Sequence, residues 1–195
     1  MAIPACPIVR EARSHGLAAQ TTTLPNPLVS NLVGLFSQTF EATAGLIGNC
    51  IVTLMTYPDI HTELRCRPTQ VNAFVREVSR YDPSVQNTRR FAASTVRVGS
   101  TLVQPGETIL VMLGAASRDD ALYVEAERFR LDRSEPAVVG FSSGRHQCPG
   151  EHIAQAIAAG AITYLLDSGM ELSQHNIAWT YRPSPNARIP QFTTR

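Results

Sequence analysis

The stretch FSSGRHQCPG, residues 141–150, is the most informative part of this 195-residue chain. It holds Cys148 in a loop bounded by Gly144 and Gly150, and an alanine-rich stretch typical of a helix follows directly. Backbone N–H groups and the positive end of a following helix both favour a charged sulfur. The stretch therefore predicts a cysteine held as a thiolate, the form of sulfur that ligates metals. The alternative is a buried structural cysteine beside a turn.

Composition describes a globular chain without an obvious macromolecular ligand. Apolar residues make up 44%, charged residues 17% and the formal net charge is +1, so nucleic-acid binding is not expected. The four cysteines form no CxxC pair, which argues against a zinc ribbon or a thioredoxin-like motif. Residues 1–25 lack the apolar core of a signal peptide. We therefore expect a cytoplasmic protein.

Helical periodicity dominates the first half of the chain and returns after the cysteine. Apolar residues recur every three or four positions over residues 28–57, between Pro27 and Pro58, which predicts one long helix. Its polar residues favour burial in the protein over a membrane span. Further helices are predicted over three stretches: residues 58–66, 69–80 and 149–166.

Strand patterns separate these two helical parts. They cover residues 95–98, 101–103 and 108–112, with a turn signal at residues 104–107. The predicted fold class is therefore mainly α with small β-sheets, an α+β architecture. We expect two regions: a loosely ordered tail over residues 1–27 and one folded region over residues 28–195.

A charged pair lies in the third predicted helix. Glu77 and Arg80 are three positions apart, so they share a helix face and can pair. Alone, such a pair is common on solvated surfaces. Its position before the strands, and Arg128 placed 20 residues before Cys148, favour a buried group in which the charges tolerate burial because they are paired.

Together these motifs resemble the cytochrome P450 family. The loop carries Phe141 seven residues before Cys148, Gly144 four before and His146 two before, as in the haem-ligand loop of that family. Glu77 and Arg80 resemble its ExxR motif. The resemblance implies a structural triad of Glu77, Arg80 and Arg128 that supports the segment beneath the haem.

The resemblance implies haem b, iron protoporphyrin IX, as the cofactor, with Cys148 as the axial ligand of the iron. Phe141 would pack beside the sulfur and exclude water, while Gly144 and Gly150 would allow tight turns and a close approach of the backbone. The propionates would be contacted by two residues: His146 and Arg90. For Arg90 the alternative is an ordinary arginine at a strand edge.

The long helix departs from the family pattern. P450s carry an acid followed directly by threonine, which deliver protons to iron-bound dioxygen. Here Glu41 supplies the acid, but Ala42 follows it and Thr43 comes one position later. One step along a helix turns a side chain by about 100°, so Thr43 does not simply replace the missing alcohol. The implied catalytic residues are Glu41 and, less directly, Thr43.

The resemblance covers residues 28–195, which correspond to the second half of a typical P450. It implies a monooxygenase that inserts one oxygen atom from O₂ into a small organic substrate. A ferredoxin or a reductase would supply electrons, docking near Arg145. A separate N-terminal half is a further expected partner. Two alternatives remain open: a truncated, non-catalytic remnant that binds haem weakly, and a peroxide-using haem protein.

Overall fold

The computed structural model describes residues 26–134 and 138–194. The predicted tail, residues 1–27, lies outside this part of the chain except for Asn26 and Pro27. The predicted division at residue 28 therefore stays a prediction.

The longest element is helix α1, Pro27–Thr56, close to the predicted helix. Asn26 starts it: the side-chain Oδ1 accepts a hydrogen bond from the backbone N–H of Leu28 at 3.0 Å, as an N-cap does. It ends before Tyr57 because Pro58 disfavours a helical conformation at the preceding residue. Within α1 the chain passes from one compact unit, ending at Leu35, to a second that begins at Phe36.

Three further helices build the core of the second unit: α2 (Pro58–Cys66), α3 (Val71–Tyr81) and α5 (Glu151–Asp167). A short turn of 3₁₀-helix, Pro68–Gln70, leads into α3. Apolar residues of α3 recur at helical spacing and pack against α5 and the C-terminal half of α1. The central buried residues are Leu46, Cys50, Leu54, Leu64, Phe74, Val75, Val78, Ala158 and Ile162.

Four short strands lie between α3 and α5. Strand β1 (Thr88–Phe91) pairs antiparallel with β4 (Thr108–Val111), and β2 (Val96–Val98) pairs antiparallel with β3 (Thr101–Val103). The β2–β3 hairpin is inserted between the two strands of the first ladder. Hydrogen bonds of Ala92 with Glu107 and Gly106 close the ladder where the hairpin begins.

The strand predictions are confirmed for β2, β3 and β4, whereas β1 was not predicted as a strand. Its sequence TRRF carries two adjacent arginines and lacks apolar alternation. It becomes a strand because β4, whose apolar residues do alternate in burial, offers it a ladder of hydrogen bonds. Long-range pairing thus decides the conformation of residues 88–91.

A short helix, α4 (Leu113–Ala116), opens a segment with few regular elements that leads to α5. After α5 the chain ends in a hairpin of β5 (Ile177–Tyr181) and β6 (Pro190–Thr194), with Trp179 opposite Phe192. The hairpin was also not predicted, because prolines and polar residues interrupt its alternation. The described residues thus contain helices and three two-stranded sheets, which confirms the mainly α, α+β fold class.

Burial along α1 is uneven. The sequence favoured a buried helix over a membrane span, but in the structure burial in α1 begins only at Thr43. Within the second unit, Phe36 and Phe40 at its start are exposed. Among the described residues, none of the helices has the length and apolar character needed to cross a membrane.

Candidate functional site

The cysteine loop is held closed by its own backbone. The N–H of Cys148 donates to the carbonyl oxygen of Phe141 at 2.9 Å, which joins the two ends of the segment. Between them, Ser142 and Gly144 have φ angles of 64° and 62°, in the left-handed region. Turns of 3₁₀-helix at Val139–Phe141 and Gly144–His146 complete the loop. Its second half, from Gly144 through Cys148, is exposed.

Helix α5 begins three residues after the cysteine. Its first-turn N–H groups lack partners within the helix, and the helix dipole places partial positive charge at this end. A Cβ at Gly150 would lie 3.8 Å from the Sγ of Cys148, an ordinary contact, so the sulfur sits directly beside this residue. The position of Cys148 near a helix start and its exposure favour a ligating sulfur over the buried structural cysteine.

The first half of the loop is anchored to α3. A Cβ at Gly140 would lie 2.9 Å from both the Cβ of Pro83 and the carbonyl oxygen of Ser79, so only glycine fits this approach. Phe141 packs against the core, and the hydroxyl of Tyr123 accepts a hydrogen bond from the N–H of Val139 at 3.2 Å. A rigid first half therefore fixes where the exposed cysteine lies. The sequence motif alone did not single out Gly140.

A buried ionic group lies at the same end of α3. Both guanidinium nitrogens of Arg80 that face Glu77 donate to its carboxylate, at 2.7 and 2.8 Å. The Nε of Arg133 donates to the same carboxylate at 2.9 Å. The side chain of Arg80 is 2% exposed, that of Glu77 is 3% exposed and that of Arg133 is 8% exposed. Their burial is tolerated because each charge is paired and hydrogen-bonded.

The two arginines also hold the backbone of the segment before the cysteine loop. Arg80 donates to the carbonyl oxygens of Ser117 and Ala126, at 2.7 and 2.8 Å. Arg133 donates to the carbonyl oxygens of Val124 and Glu125, at 2.8 and 2.9 Å. These contacts make the ionic group a structural support and give it no direct access to a reacting atom.

The predicted third member of the triad, Arg128, is corrected by the structure. Its side chain is 70% exposed and donates to Glu125 at 2.6 Å, which is the chief cause of the lowered pKa of that carboxyl. Only the carbonyl oxygen of Arg128 faces the group, where it accepts from Arg80 and Arg133. The chain folds back after this residue, so that Arg133 reaches Glu77. In a loop segment no periodicity tells these arginines apart.

Arg90 lies beside the cysteine loop. It projects from β1, and its Nη2 is 3.5 Å from the hydroxyl oxygen of Ser142. Its Nη1 donates to the hydroxyl oxygen of Thr88 at 2.9 Å, which orients the guanidinium. His146 lies at the exposed end of the second 3₁₀ turn. The structure thus brings Arg90 to the loop that carries His146 and Cys148, and the role of both side chains toward a propionate stays a prediction.

On α1, Glu41 has a partner that the sequence did not indicate. Arg182, directly after β5, donates two hydrogen bonds to its carboxylate at 2.9 and 3.1 Å. This hydrogen-bonded ion pair holds the pKa of Glu41 below its ordinary value. Thr43 is buried, two positions further along the helix. The structure thus shows Glu41 as a paired carboxylate, and its predicted part in proton delivery stays a prediction.

The C-terminal hairpin packs closely on α1 beyond this ion pair. A Cβ at Gly45 would lie 3.2 Å from Ile189, and one at Gly48 would lie 3.0 Å from Pro190. The side-chain amide of Asn49 donates to the carbonyl oxygen of Asp82 at 2.9 Å. The glycines therefore serve a close approach of the hairpin. This contact explains how Arg182 comes to face Glu41.

The donors present fit a haem better than a bare metal ion. Among residues 26–134 and 138–194 no cluster of three or more histidine, cysteine or acidic side chains could hold an ion. A haem brings its own nitrogen ligands, so the protein needs to supply one axial sulfur, together with hydrogen-bond donors for the propionates. The exposed Cys148 and the neighbouring Arg90 and His146 meet that requirement.

The fold and the loop together define the class of this protein. It is a mainly helical chain in which an exposed cysteine lies in a glycine-bounded loop directly before a helix. The comparisons agree. The family model described as cytochrome P450 matches residues 69–168. The biotin biosynthesis cytochrome P450 of Bacillus subtilis is 32% identical over 143 residues, and cytochrome P450 107B1 of Saccharopolyspora erythraea is 35% identical over 146. This chain belongs to the cytochrome P450 family.

Solved structures show the same fold. A crystal structure of P450BioI in complex with hexadec-9Z-enoic acid ligated acyl carrier protein has a TM-score of 0.69, 29% identity and covers 78% of this chain. The crystal structure of CalO2 has a TM-score of 0.76, 25% identity and covers 96% of it. The chain spans 36% of the length of both relatives named above and 40% of the P450BioI chain. It therefore matches part of the P450 fold, consistent with the predicted C-terminal half, and family membership implies a haem cofactor.

Proposed function

We propose that this protein binds haem b through Cys148 and takes part in the insertion of one oxygen atom from O₂ into a small organic substrate. The observation that carries the proposal is the exposed cysteine, fixed beside the start of α5 by a loop anchored through Gly140. Haem held through a thiolate supplies dioxygen activation when it is bound. The remaining functions fall to side chains of this chain.

Each of these side chains has a defined part. Arg90 and His146 bind the two propionates by charge-assisted hydrogen bonds. Phe141 packs against the core and accepts the N–H of Cys148 through its carbonyl oxygen, so it fixes the cysteine, and its ring would exclude water from the sulfur once a haem covers the exposed side. Glu41 holds a proton-accepting carboxylate that Arg182 keeps ionised and oriented. Proton transfer through Glu41 therefore requires that this ion pair opens.

Electrons come from a ferredoxin or a reductase. The support is a groove between α3 and α5, lined by Arg76, His152 and Gln155 among others. His152 lies on α5, four residues after Cys148, so a donor seated there is close to the sulfur along the chain. Cationic side chains in the groove, with Arg145 in the loop, would attract an acidic donor and speed its association.

The experiment supplies the haem-loaded protein with NADH, a ferredoxin and its reductase, and hexadec-9Z-enoic acid as the probe substrate. Isotopically labelled dioxygen should place one labelled oxygen atom in the product, found by mass spectrometry. The label should be lost in Cys148→Ala and retained in Cys66→Ala, since Cys66 is an exposed cysteine far along the chain from the loop. Turnover with peroxide alone and none with the electron donors would favour the peroxide-using alternative.

A further inference from the structure

An exposed ion pair joins the C-terminal hairpin to α1. Two guanidinium nitrogens of Arg182 donate to the two carboxylate oxygens of Glu41, at 2.9 and 3.1 Å. The side chain of Arg182 is 38% exposed and that of Glu41 is 49% exposed, so both are open to solvent. This two-pronged geometry is the one by which arginine recognises carboxylate ligands. Arg182 therefore presents a carboxylate site that Glu41 occupies in this structure.

The hairpin does not depend on this ion pair for its position. The backbone N–H of Arg182 donates to the carbonyl oxygen of Ile189 at 3.0 Å. The hydroxyl of Tyr181 donates to Asp82 at 2.9 Å, and a Cβ at Gly48 would lie 3.0 Å from the hairpin. An exposed ion pair adds little to stability. Other contacts therefore hold Arg182 in place, and its guanidinium can exchange one carboxylate for another.

Exposed aromatic side chains lie beside the ion pair. Phe40 directly precedes Glu41 and is 78% exposed, and Phe36, one helical turn earlier, is 65% exposed. Residues four positions apart share one side of a helix, so the two rings form one apolar surface. Ligand sites combine apolar surface of this kind with a few polar groups that fix the orientation of the ligand. A cation next to two aromatic rings thus matches an organic acid with an apolar body.

A second surface ion pair lacks these neighbours. Arg67, at the end of α2, pairs with Glu63 at 3.4 Å. Residues 62–68 around this pair include no phenylalanine, tyrosine or tryptophan. The pair carries the same two charges without the aromatic surface, so Arg67 provides a matched control.

A ligand carboxylate would change the state of Glu41. In the structure Arg182 holds the pKa of Glu41 below its ordinary value. A carboxylate that takes over the guanidinium removes this cause, so the pKa of Glu41 rises toward its ordinary value and its side chain is released from the hairpin. The proposed reaction requires that the ion pair opens before Glu41 transfers a proton. A substrate that carries a carboxylate opens the pair as it binds.

We propose that Arg182 binds the carboxylate of the substrate, an organic acid whose apolar body lies on Phe36 and Phe40, and that this binding frees Glu41. The proposal rests on the proposed function, because it names the substrate class of that reaction. The binding step itself needs no haem, since every residue that it uses belongs to α1 or directly follows β5.

The test uses the full 195-residue chain without added haem. The probe is 4-phenylbutanoate, and 4-phenylbutanol is its uncharged counterpart. Isothermal titration calorimetry measures the affinity of each, and carbon-detected NMR follows the titration of the Glu41 carboxyl. We expect the acid to bind about tenfold more tightly than the alcohol, because only the acid accepts charge-assisted hydrogen bonds. The acid should raise the pKa of Glu41, whereas the alcohol should leave it unchanged.

Two substitutions should shift the affinity for the acid in opposite directions. Arg182→Gln removes the cation and should weaken binding about tenfold. Glu41→Gln removes the competing carboxylate and should tighten binding about threefold, as expected for the release of an exposed ion pair. Arg182→Lys keeps the charge without the two-pronged geometry, so its affinity should fall between those of Arg182→Gln and the unaltered chain. An ion pair that only fastens the hairpin would give no gain in Glu41→Gln.

Two further variants locate the site. Phe40→Ala should weaken binding of the acid about threefold, because it removes an aromatic contact with the ring of the probe. Arg67→Gln should leave the affinity unchanged. Circular dichroism and the Tm of each variant should match those of the unaltered chain, because the substituted side chains are exposed.

Four results would overturn the proposal: equal affinity for the acid and the alcohol, unaltered affinity in Arg182→Gln, no gain in Glu41→Gln, or a dimer, detected by light scattering, that covers Phe36 and Phe40 and excludes the probe. Since no haem is present, each of these results leaves haem ligation by Cys148 untouched. Probe binding as expected, in a chain that fails to bind haem, would in turn count only against the proposed function.

Discussion

Glu77 is the residue that holds together the buried ionic group beneath the cysteine loop. It accepts hydrogen bonds from Arg80, from Arg133 and from the backbone N–H of Arg130, the last at 2.9 Å. Two cations thus share one anion, and the surplus positive charge is spread over backbone carbonyl oxygens. Removing Glu77 would leave two buried cations without their anion, whereas removing Arg133 would leave Glu77 paired with Arg80.

This arrangement predicts different costs for two arginines only five positions apart. Arg133→Met should lower the free energy of unfolding by about 1–3 kcal/mol, because it removes the donor to the carbonyl oxygens of Val124 and Glu125 while Glu77 keeps Arg80. Arg128→Met should change it by less than about 0.5 kcal/mol, since that side chain pairs only at the surface. Urea unfolding followed by the fluorescence of Trp179, the one tryptophan of the chain, measures both. Equal losses in the two variants would contradict the assignment of Arg133.

A second prediction at this scale concerns Glu41. Arg182 lowers its folded-state pKa, so the ion pair contributes stability above the unfolded pKa and loses it as the pH falls through the folded pKa. In Arg182→Gln the carboxyl should titrate close to its ordinary value. Carbon-detected NMR of the Glu41 side chain measures this, with Arg188→Gln as the control because Arg188 pairs with Asp82. A titration midpoint that does not rise in Arg182→Gln would disprove the assigned cause.

The residues of the site were predictable where the residues that they contact lie close by in the sequence. Cys148, the spacing around it and the Glu77–Arg80 pair follow from short motifs whose members lie within one loop or one helical turn. Arg133 and Arg182 were not predictable, because each meets its partner only after the chain has folded back over 56 and 141 residues, respectively. Short sequence motifs do not predict contacts between residues that far apart in the sequence.

At the scale of elements, two close approaches position the site. The 3₁₀ turn before the cysteine packs on the end of α3 through Gly140, and the C-terminal hairpin packs on α1 through Gly45 and Gly48. In each case the absence of a side chain sets the distance between two elements. The positions of Cys148 and Glu41 thus depend on glycines whose small size lets a neighbouring element approach.

Gly140→Ala tests the first of these contacts. The added Cβ would meet Pro83 and the backbone of Ser79, so the loop must shift, and we expect the free energy of unfolding to fall by about 1–3 kcal/mol. The matched control is Gly160→Ala, where the added Cβ meets nothing and better helix propensity should stabilise the chain by about 0.5–1 kcal/mol. Chemical denaturation of both variants gives the comparison. A neutral Gly140→Ala would mean that the loop is not anchored at this point.

Helices and strands differed in how far the sequence predicted them. The bounds of α1, α2 and α5 came within about two residues, because apolar periodicity and flanking prolines are local signals. β1 and the β5–β6 hairpin escaped prediction, because their paired residues lie 17–23 positions apart for β1 with β4 and 9–17 positions apart for β5 with β6. The sequence also did not indicate which part of α1 is exposed, since periodicity shows which face is apolar and not what covers it.

At the scale of the whole molecule, the described residues combine a well-packed core with exposed apolar surface. The core, the ionic group and the anchored loop build a firm support for Cys148. The exposed aromatic residues of α1, the exposed Ile153, Ile157 and Tyr164 of α5 and the two-stranded sheets leave apolar surface uncovered among the described residues. Among residues 26–134 and 138–194 the sulfur therefore has a firm support, while these apolar faces are exposed.

The central claim is that the sulfur of Cys148 ligates a haem iron, and the carbon monoxide difference spectrum tests it most directly. The protein is expressed with a haem precursor, reduced and exposed to carbon monoxide, beside Cys148→Ala and Cys66→Ala. We predict the long-wavelength Soret band of thiolate-ligated iron in the unaltered protein and in Cys66→Ala, and its loss in Cys148→Ala. A protein that binds no haem, or a band that persists in Cys148→Ala, would contradict the claim.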